Sequence, residues 1–201
     1  KPSAAAQPTS FIGLDAFTGD AFDIDAAGAA TLLGNVTGGP RFGFGPIAAG
    51  PGGRLFAVGP GMFSGYSIYE IDLNTFTATS LHSITSTSTG GVGMAVDPSG
   101  NSVWVIGFAG LSLYADVEEV DLTTGAMTAH GILGGNLWGL AFDASGNLYT
   151  SQQGATDPEL LFIDPGNMAN NAVVGPLTGV DMNAGIDLAS DLGSGMLHAY
   201  S

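Results

Sequence analysis

Eighteen carboxylates and three histidines are the side chains of this 201-residue chain that could carry acid, base or metal chemistry. Seven of the carboxylates gather in two places: Asp15, Asp20, Asp23 and Asp25 near the front, and Asp116, Glu118 and Glu119 in the middle. Oxygen donors grouped in this way suit calcium, which takes roughly six to eight of them. Neither group has the spacing of an EF-hand loop or a calcium-binding nonapeptide, so the calcium signal is weak and a solvated acidic face is the expected reading. His82, His130 and His198 lie far apart, whereas a metal or catalytic cluster needs groups that converge. A structural or surface role is expected for all three. Asn35-Val36-Thr37 has the form of an N-glycosylation acceptor.

Composition narrows the function classes further. Lys1, Arg41 and Arg54 are the whole basic complement and the net charge is -15, so the chain cannot neutralise a row of phosphates. Nucleic acid and anionic membrane surfaces are therefore excluded as partners. With no cysteine there is no disulfide framework, thiolate metal site or cysteine nucleophile. No apolar run approaches the ~20 residues of a membrane-spanning helix, so no membrane insertion is expected. Only 10% of residues are charged, against ~25% in an average domain. The acidity thus reflects missing lysine and arginine more than added acid. Glycine, at 33 residues, and a mean hydropathy of +0.32 point to a folded, turn-rich chain. A first residue other than Met is what a processed, mature protein would show, and what a piece excised from a longer chain would show as well.

The elements that must position these side chains come from a repeat. Gly93-Met-Ala-Val-Asp-Pro-Ser-Gly-Asn101 and Gly139-Leu-Ala-Phe-Asp-Ala-Ser-Gly-Asn147 are copies of one unit: an apolar strand, an Asp-x-Ser-Gly-Asn turn and a second strand. Asp and Asn bond to nearby backbone and Gly supplies a positive φ, which is hairpin chemistry. Weaker copies start at Gly45 and Gly185, giving spacings of 48, 46 and 46. The second half of the unit recurs as Tyr69-Glu-Ile-Asp-Leu73, Glu118-Glu-Val-Asp-Leu122 and Leu161-Phe-Ile-Asp-Pro165, and near the front as Phe22-Asp-Ile-Asp25. In this register Asp25, Asp72, Asp121 and Asp164 are turn residues, as are Asp97 and Asp143. Trp104, Trp138, Tyr69, Tyr149 and Phe162 fall on strands, where packing between units accounts for them. The hydroxyl-rich stretch from Thr75 to Thr89 suits an exposed outer strand or, in a secreted protein, O-glycans.

Four short strands per ~47 residues without a long helical pattern make a β-propeller blade. Residues 139–149 resemble the first half of an NHL-type repeat, and Val120-Asp-Leu-Thr-Thr-Gly125 resembles a step of the YVTN-type repeats of secreted prokaryotic propellers. That resemblance implies an all-β propeller of about four blades of four antiparallel strands, and no particular activity. Residues 1–10 form an N-terminal extension and 11–201 the propeller. Its blade units are approximately 42–90, 91–135 and 136–181, with 183–201 combining with 11–39. Residues 11–17 also read as a second strand, redundant with Met196 to Tyr200. Three arrangements follow: an extra edge strand, incomplete ends that pair with neighbouring subunits, or a piece of a longer propeller.

Asp187 breaks the repeat, standing where Ala95 and Ala141 stand in the innermost strand, and is the candidate ligand-binding residue. One axial acid without a basic partner does not make a catalytic site, and the several metal ligands of propeller lactonases are missing. The expected function is an extracellular or cell-surface prokaryotic module, structural or interacting with other extracellular proteins. It would self-assemble into a layer, matrix or filament by terminal strand exchange. A secreted propeller that binds a glycan, a small ligand or calcium is the alternative, and a hydrolase the third reading.

Overall fold

The computed structural model of the chain describes residues 10–25, 27–40, 43–60, 65–86, 88–109, 114–153, 157–178, 187–191 and 196–200. Strands β1 (Ser10–Leu14), β2 (Asp20–Asp25) and β3 (Ala30–Asn35) form a three-stranded antiparallel sheet. Three four-stranded antiparallel sheets follow in chain order. Blade I is β4 (Ile47–Ala49), β5 (Leu55–Pro60), β6 (Tyr66–Asp72) and β7 (Thr77–Ile84). Blade II is β8 (Ser88–Val96), β9 (Ser102–Ala109), β10 (Tyr114–Asp121) and β11 (Met127–Gly134). Blade III is β12 (Leu137–Phe142), β13 (Leu148–Gln153), β14 (Pro158–Ile163) and β15 (Ala172–Pro176). The last elements, β16 (Asp187–Asp191) and β17 (Met196–Tyr200), make a hairpin. β8 packs on β4 and β12, and β12 on β16, so the first strand of each unit is innermost. This is the all-β propeller that the repeat predicts.

Burial follows from position in the blade. Leu55–Val58 and Val103–Ile106 are second strands with neighbours on both edges and both faces, and every side chain in them is buried. They are accordingly continuous apolar runs. The outermost β7 buries Ala78 and Ile84 and leaves Thr77, Thr79, Ser80 and Ser83 exposed. Apolar clusters fill the gaps between sheets. Phe56, Val58, Ile68, Val103 and Val105 join blades I and II; Ile106, Val117, Leu140, Leu148 and Ile163 join II and III. Ala21, Val36, Leu55 and Ile71 join the N-terminal sheet to blade I.

The recurring aspartates build the turns. Asp121 Oδ1 accepts from the backbone N–H of Thr123 and Thr124 at 2.9 and 2.7 Å, Asp143 from Ser145 and Asn147 at 2.8 and 2.9 Å, and Asp25 from Ala27 and Ala29 at 2.9 Å. Asp72, Asp97 and Asp164 act in the same way on Asn74, Ser99 and Gly166. Each is a local ring of a few residues, which is why it could be read from spacing alone.

The chain ends make two separate hydrogen-bonded sheets. β1 pairs with β2 from Ser10↔Asp25 to Leu14↔Ala21, and β16 with β17 from Asp187↔Tyr200 to Asp191↔Met196. They meet through Phe11 and His198, whose rings lie edge to face with centroids 5.8 Å apart. The segment read as redundant therefore pairs within the chain.

Candidate functional site

Strand geometry divides the middle acidic group. Adjacent residues of a strand point to opposite faces, and β10 runs in unbroken register with β9 while β11 bulges at His130, opposite Val117 and Glu118. Glu118 turns toward blade I, is 4% exposed, and accepts a hydrogen bond from Ser86 Oγ in the β7–β8 connection. The Tyr66 hydroxyl faces the same carboxylate from β6 without reaching hydrogen-bond geometry. Burial first, and then the nearby Glu118 charge, push the Tyr66 phenol well above the usual tyrosine range. Glu119 takes the opposite face and pairs with His130 Nε2 at 3.0 Å. Asp116 sits between Gly107 and Ile132. The three do not converge on a common point.

The front group is likewise absorbed by local structure. Asp15 Oδ1 accepts from the N–H of Phe17 and Thr18 at 2.8 Å, and these bonds hold its carboxyl below the ordinary range. Asp20 Oδ1 accepts from Asn35 Nδ2 at 2.9 Å. Asp23 lies on β2 between Ile12 and Thr31. Among the described residues no group of three or more His, Asp or Glu could hold a metal ion. Asn35 Nδ2, the atom an N-glycan would occupy, also donates to Thr18 O at 2.8 Å. Asp187 opens β16 with its backbone opposite Tyr200, which places it on an innermost strand.

Two of the three histidines, His82 and His130, are staples between blades. His82 Nε2, on the outermost strand of blade I, donates to Leu122 O at 2.9 Å, and His130 Nδ1, on the outermost strand of blade II, to Pro165 O at 3.2 Å. Leu122 and Pro165 each follow the turn aspartate of the next blade, so the two contacts are one motif repeated. Thr37 makes the corresponding link from the N-terminal sheet, its N–H donating to Phe76 O at 2.9 Å. The His130 ring also stacks on Trp104, with centroids 4.3 Å apart and planes at 23°.

Beside Glu119, blade II has a cavity of about 370 Å³ on the side of its Asp-bearing turns. Asp97, Glu119 and Asp121 supply carboxylates to it, and Ser99, Asn101 and Thr128 supply hydroxyl and amide groups. Hydrogen bonds from the Thr124 backbone, its hydroxyl and the Thr123 backbone hold Asp121 below the usual carboxylate range. Such a wall accepts hydrogen bonds from a polyhydroxylated or cationic ligand. Within it the Ser99 hydroxyl donates to the Asp97 carboxylate. The cavity was not foreseen, because its walls come from two turns about 20 residues apart. Glu118 could have been singled out: three residues before a turn aspartate the other units carry Phe22, Tyr69 and Leu161.

Fold and site together define a β-propeller with a polar, acidic surface cavity. No family model and no curated protein sequence matches the chain. Solved propellers match it in structure. TolB from Acinetobacter baumannii does so with a TM-score of 0.57 and 14% identity, over 94% of this chain and 46% of its own. The gluconolactonase XC5397 from Xanthomonas campestris gives 0.60 and 16%, over 94% and 65%. A chain of the nidogen–laminin complex gives 0.60 and 18%, over 90% and 66%. At these identities the likeness is one of fold. The chain spans about half to two thirds of the length of these structures.

Proposed function

We propose that the chain is an extracellular structural or interaction propeller that associates with copies of itself through strand edges. The carrying observation is the apolar exposure of its outermost strands: Leu32 and Leu33 on β3, Met127 and Ile132 on β11, and Val173 and Val174 on β15, with Leu32, Ile132 and Val174 near 60% exposed. Outermost strands offer unpaired backbone, and exposed apolar side chains there favour pairing with another chain over staying in water. Few charges oppose that contact at close range. The nidogen–laminin likeness is to a propeller structure solved with a protein partner. Light scattering on the eluting protein over a hundredfold range of concentration tests the reading: mass should rise in steps of the chain mass. A monomer throughout, with featureless particles by electron microscopy, would exclude it.

A second reading, a propeller that binds a glycan or small polar ligand, is favoured by the blade II cavity. Binding to a glycan array that is lost in Asp97→Ala and Glu119→Ala would support it. Calcium has no convergent donors among the described residues, and chelator-dependent melting is its test. For hydrolysis, suggested by the gluconolactonase likeness, the test is lactone turnover in Asp187→Asn.

A further inference from the structure

β1 and β17 hold the same place in the propeller. β1 pairs with β2 in the register that β9 keeps with β10, Ser10 facing Asp25 as Ser102 faces Asp121. That makes β1 a second strand. β17 is also a second strand, being the hairpin partner of the innermost β16. There are thus two second strands in the terminal unit and one third strand, β2. Neither second strand is buried like its counterparts: residues 11–14 of β1 and 197–199 of β17 are all half-exposed, whereas Leu55–Val58 and Val103–Ile106 are fully buried and β13 buries Leu148, Thr150 and Ser151. The two are also in touch, since Phe11 of β1 meets His198 of β17 ring to ring.

We propose that β1 is a removable strap on β2, and that β17 of the same chain takes its place when β1 leaves. Two pieces of physics make the exchange feasible. A five-residue strand with half-exposed side chains belongs to the low-stability end of a fold, where local opening is frequent. The edge it uncovers on β2 is unpaired backbone, which the adjacent β17 can cover without crossing the molecule. Afterwards β17 is flanked on both edges, by β16 and β2, and a continuous four-stranded blade β16-β17-β2-β3 closes the ring. The released residues 10–14 are then an extended segment free to pair with a strand edge of a second copy. That last step rests on the self-association proposed above; the exchange between β1 and β17 does not.

Hydrogen exchange on the full chain tests the strap. In Ile12→Pro, which removes a donor and disfavours β1 in the sheet, amides of 196–200 should exchange about tenfold more slowly than in the parent while 20–25 keep their protection. Loss of protection at 20–25 with 196–200 unchanged would overturn the exchange. A second variant covers failure of the first to fold. Ile12→Cys with Asp23→Cys places thiols at directly opposed positions in a chain with no other cysteine, where a disulfide can form. Oxidation should slow exchange at 20–25 and speed it at 196–200, and reduction should reverse both; a change confined to 20–25 would count against the exchange. Association abolished by oxidation and restored by reduction supports delivery of β1 to a second copy. Association indifferent to the lock removes β1 as the connecting strand and leaves self-association standing. A chain that never associates speaks against self-association alone, and the exchange data still decide the strap.

Discussion

His82 Nε2 lies 2.9 Å from the carbonyl oxygen of Leu122, tying the outermost strand of blade I to a turn of blade II. Gly125, in the same turn at φ +72°, leaves the space the imidazole fills: a Cβ there would stand 2.5 Å from His82 Nδ1. Removing the bond in His82→Ala should cost about 1–2 kcal/mol by urea denaturation, the scale of a part-buried hydrogen bond with its packing. Gly125→Ala should cost about 1–3 kcal/mol, from both the left-handed φ and the clash. Because the clash disappears once the ring is gone, the double variant should fall short of the sum by at least about 0.5 kcal/mol. Additive costs would show that the ring and the turn do not support each other.

Alkaline stability should depend on Tyr66. Its phenol is raised above the ordinary value near 10 by burial and by Glu118. A group raised in the folded state contributes stability that is full below the unfolded pKa and is lost as pH rises beyond it. The urea midpoint should therefore fall between about pH 9 and 11, and Tyr66→Phe should flatten that fall relative to the parent. An unchanged slope in Tyr66→Phe would assign the alkaline limb elsewhere.

Glu118 stands where other units are apolar, and its substitutions should couple to Tyr66. Glu118→Leu alone removes the acceptor of the buried Ser86 hydroxyl, leaves the Tyr66 phenol facing a methyl group and should cost about 1–3 kcal/mol. Adding Tyr66→Phe removes the stranded hydroxyl, so the double variant should be more stable than the Glu118→Leu single. Thermal melts of the three proteins at neutral pH check the order.

At the acid end, Asp15, Asp72 and Asp121 are held below the usual carboxylate value by hydrogen bonds from their own turns. For groups lowered in the folded state, the contribution is present above the unfolded pKa and disappears as pH falls through the folded one. The melting temperature should therefore drop below about pH 4. Asp121→Asn keeps an acceptor oxygen but does not titrate. Its melting temperature should change less between about pH 6 and 3 than the parent's.

Asn35 should matter without a glycan. Its amide nitrogen donates to Thr18 O and Asp20 Oδ1. In protein made by a host that does not glycosylate, Asn35→Ala should therefore lose about 1 kcal/mol in urea denaturation. A neutral substitution would free the residue for modification.

Local chemistry explains what could be read from the residues alone. The Asp turns close within a few positions, so spacing was enough to assign Asp25, Asp72, Asp121 and Asp164 to them. The repeat also marked its own exceptions, Asp187 and the redundant strand at residues 11–17. Sequence distance groups Glu118 with Glu119, whereas neighbours on a strand face opposite ways and the two take different partners, Ser86 and His130. His82 and His130 could be read as structural, but their carbonyl partners lie 35 to 40 positions away, across a gap between sheets.

The amino-acid sequence by itself determined the blade, since alternation, turn chemistry and a period near 47 residues act over distances shorter than one repeat. Only the tertiary structure decided how blades face one another. Ring packing brings side chains from successive units into a shared gap, joining Ser86 and Tyr66 to Glu118, and brings the two chain ends together at Phe11 and His198. Contacts between blades depend on the angle and offset of whole sheets, which no local pattern encodes.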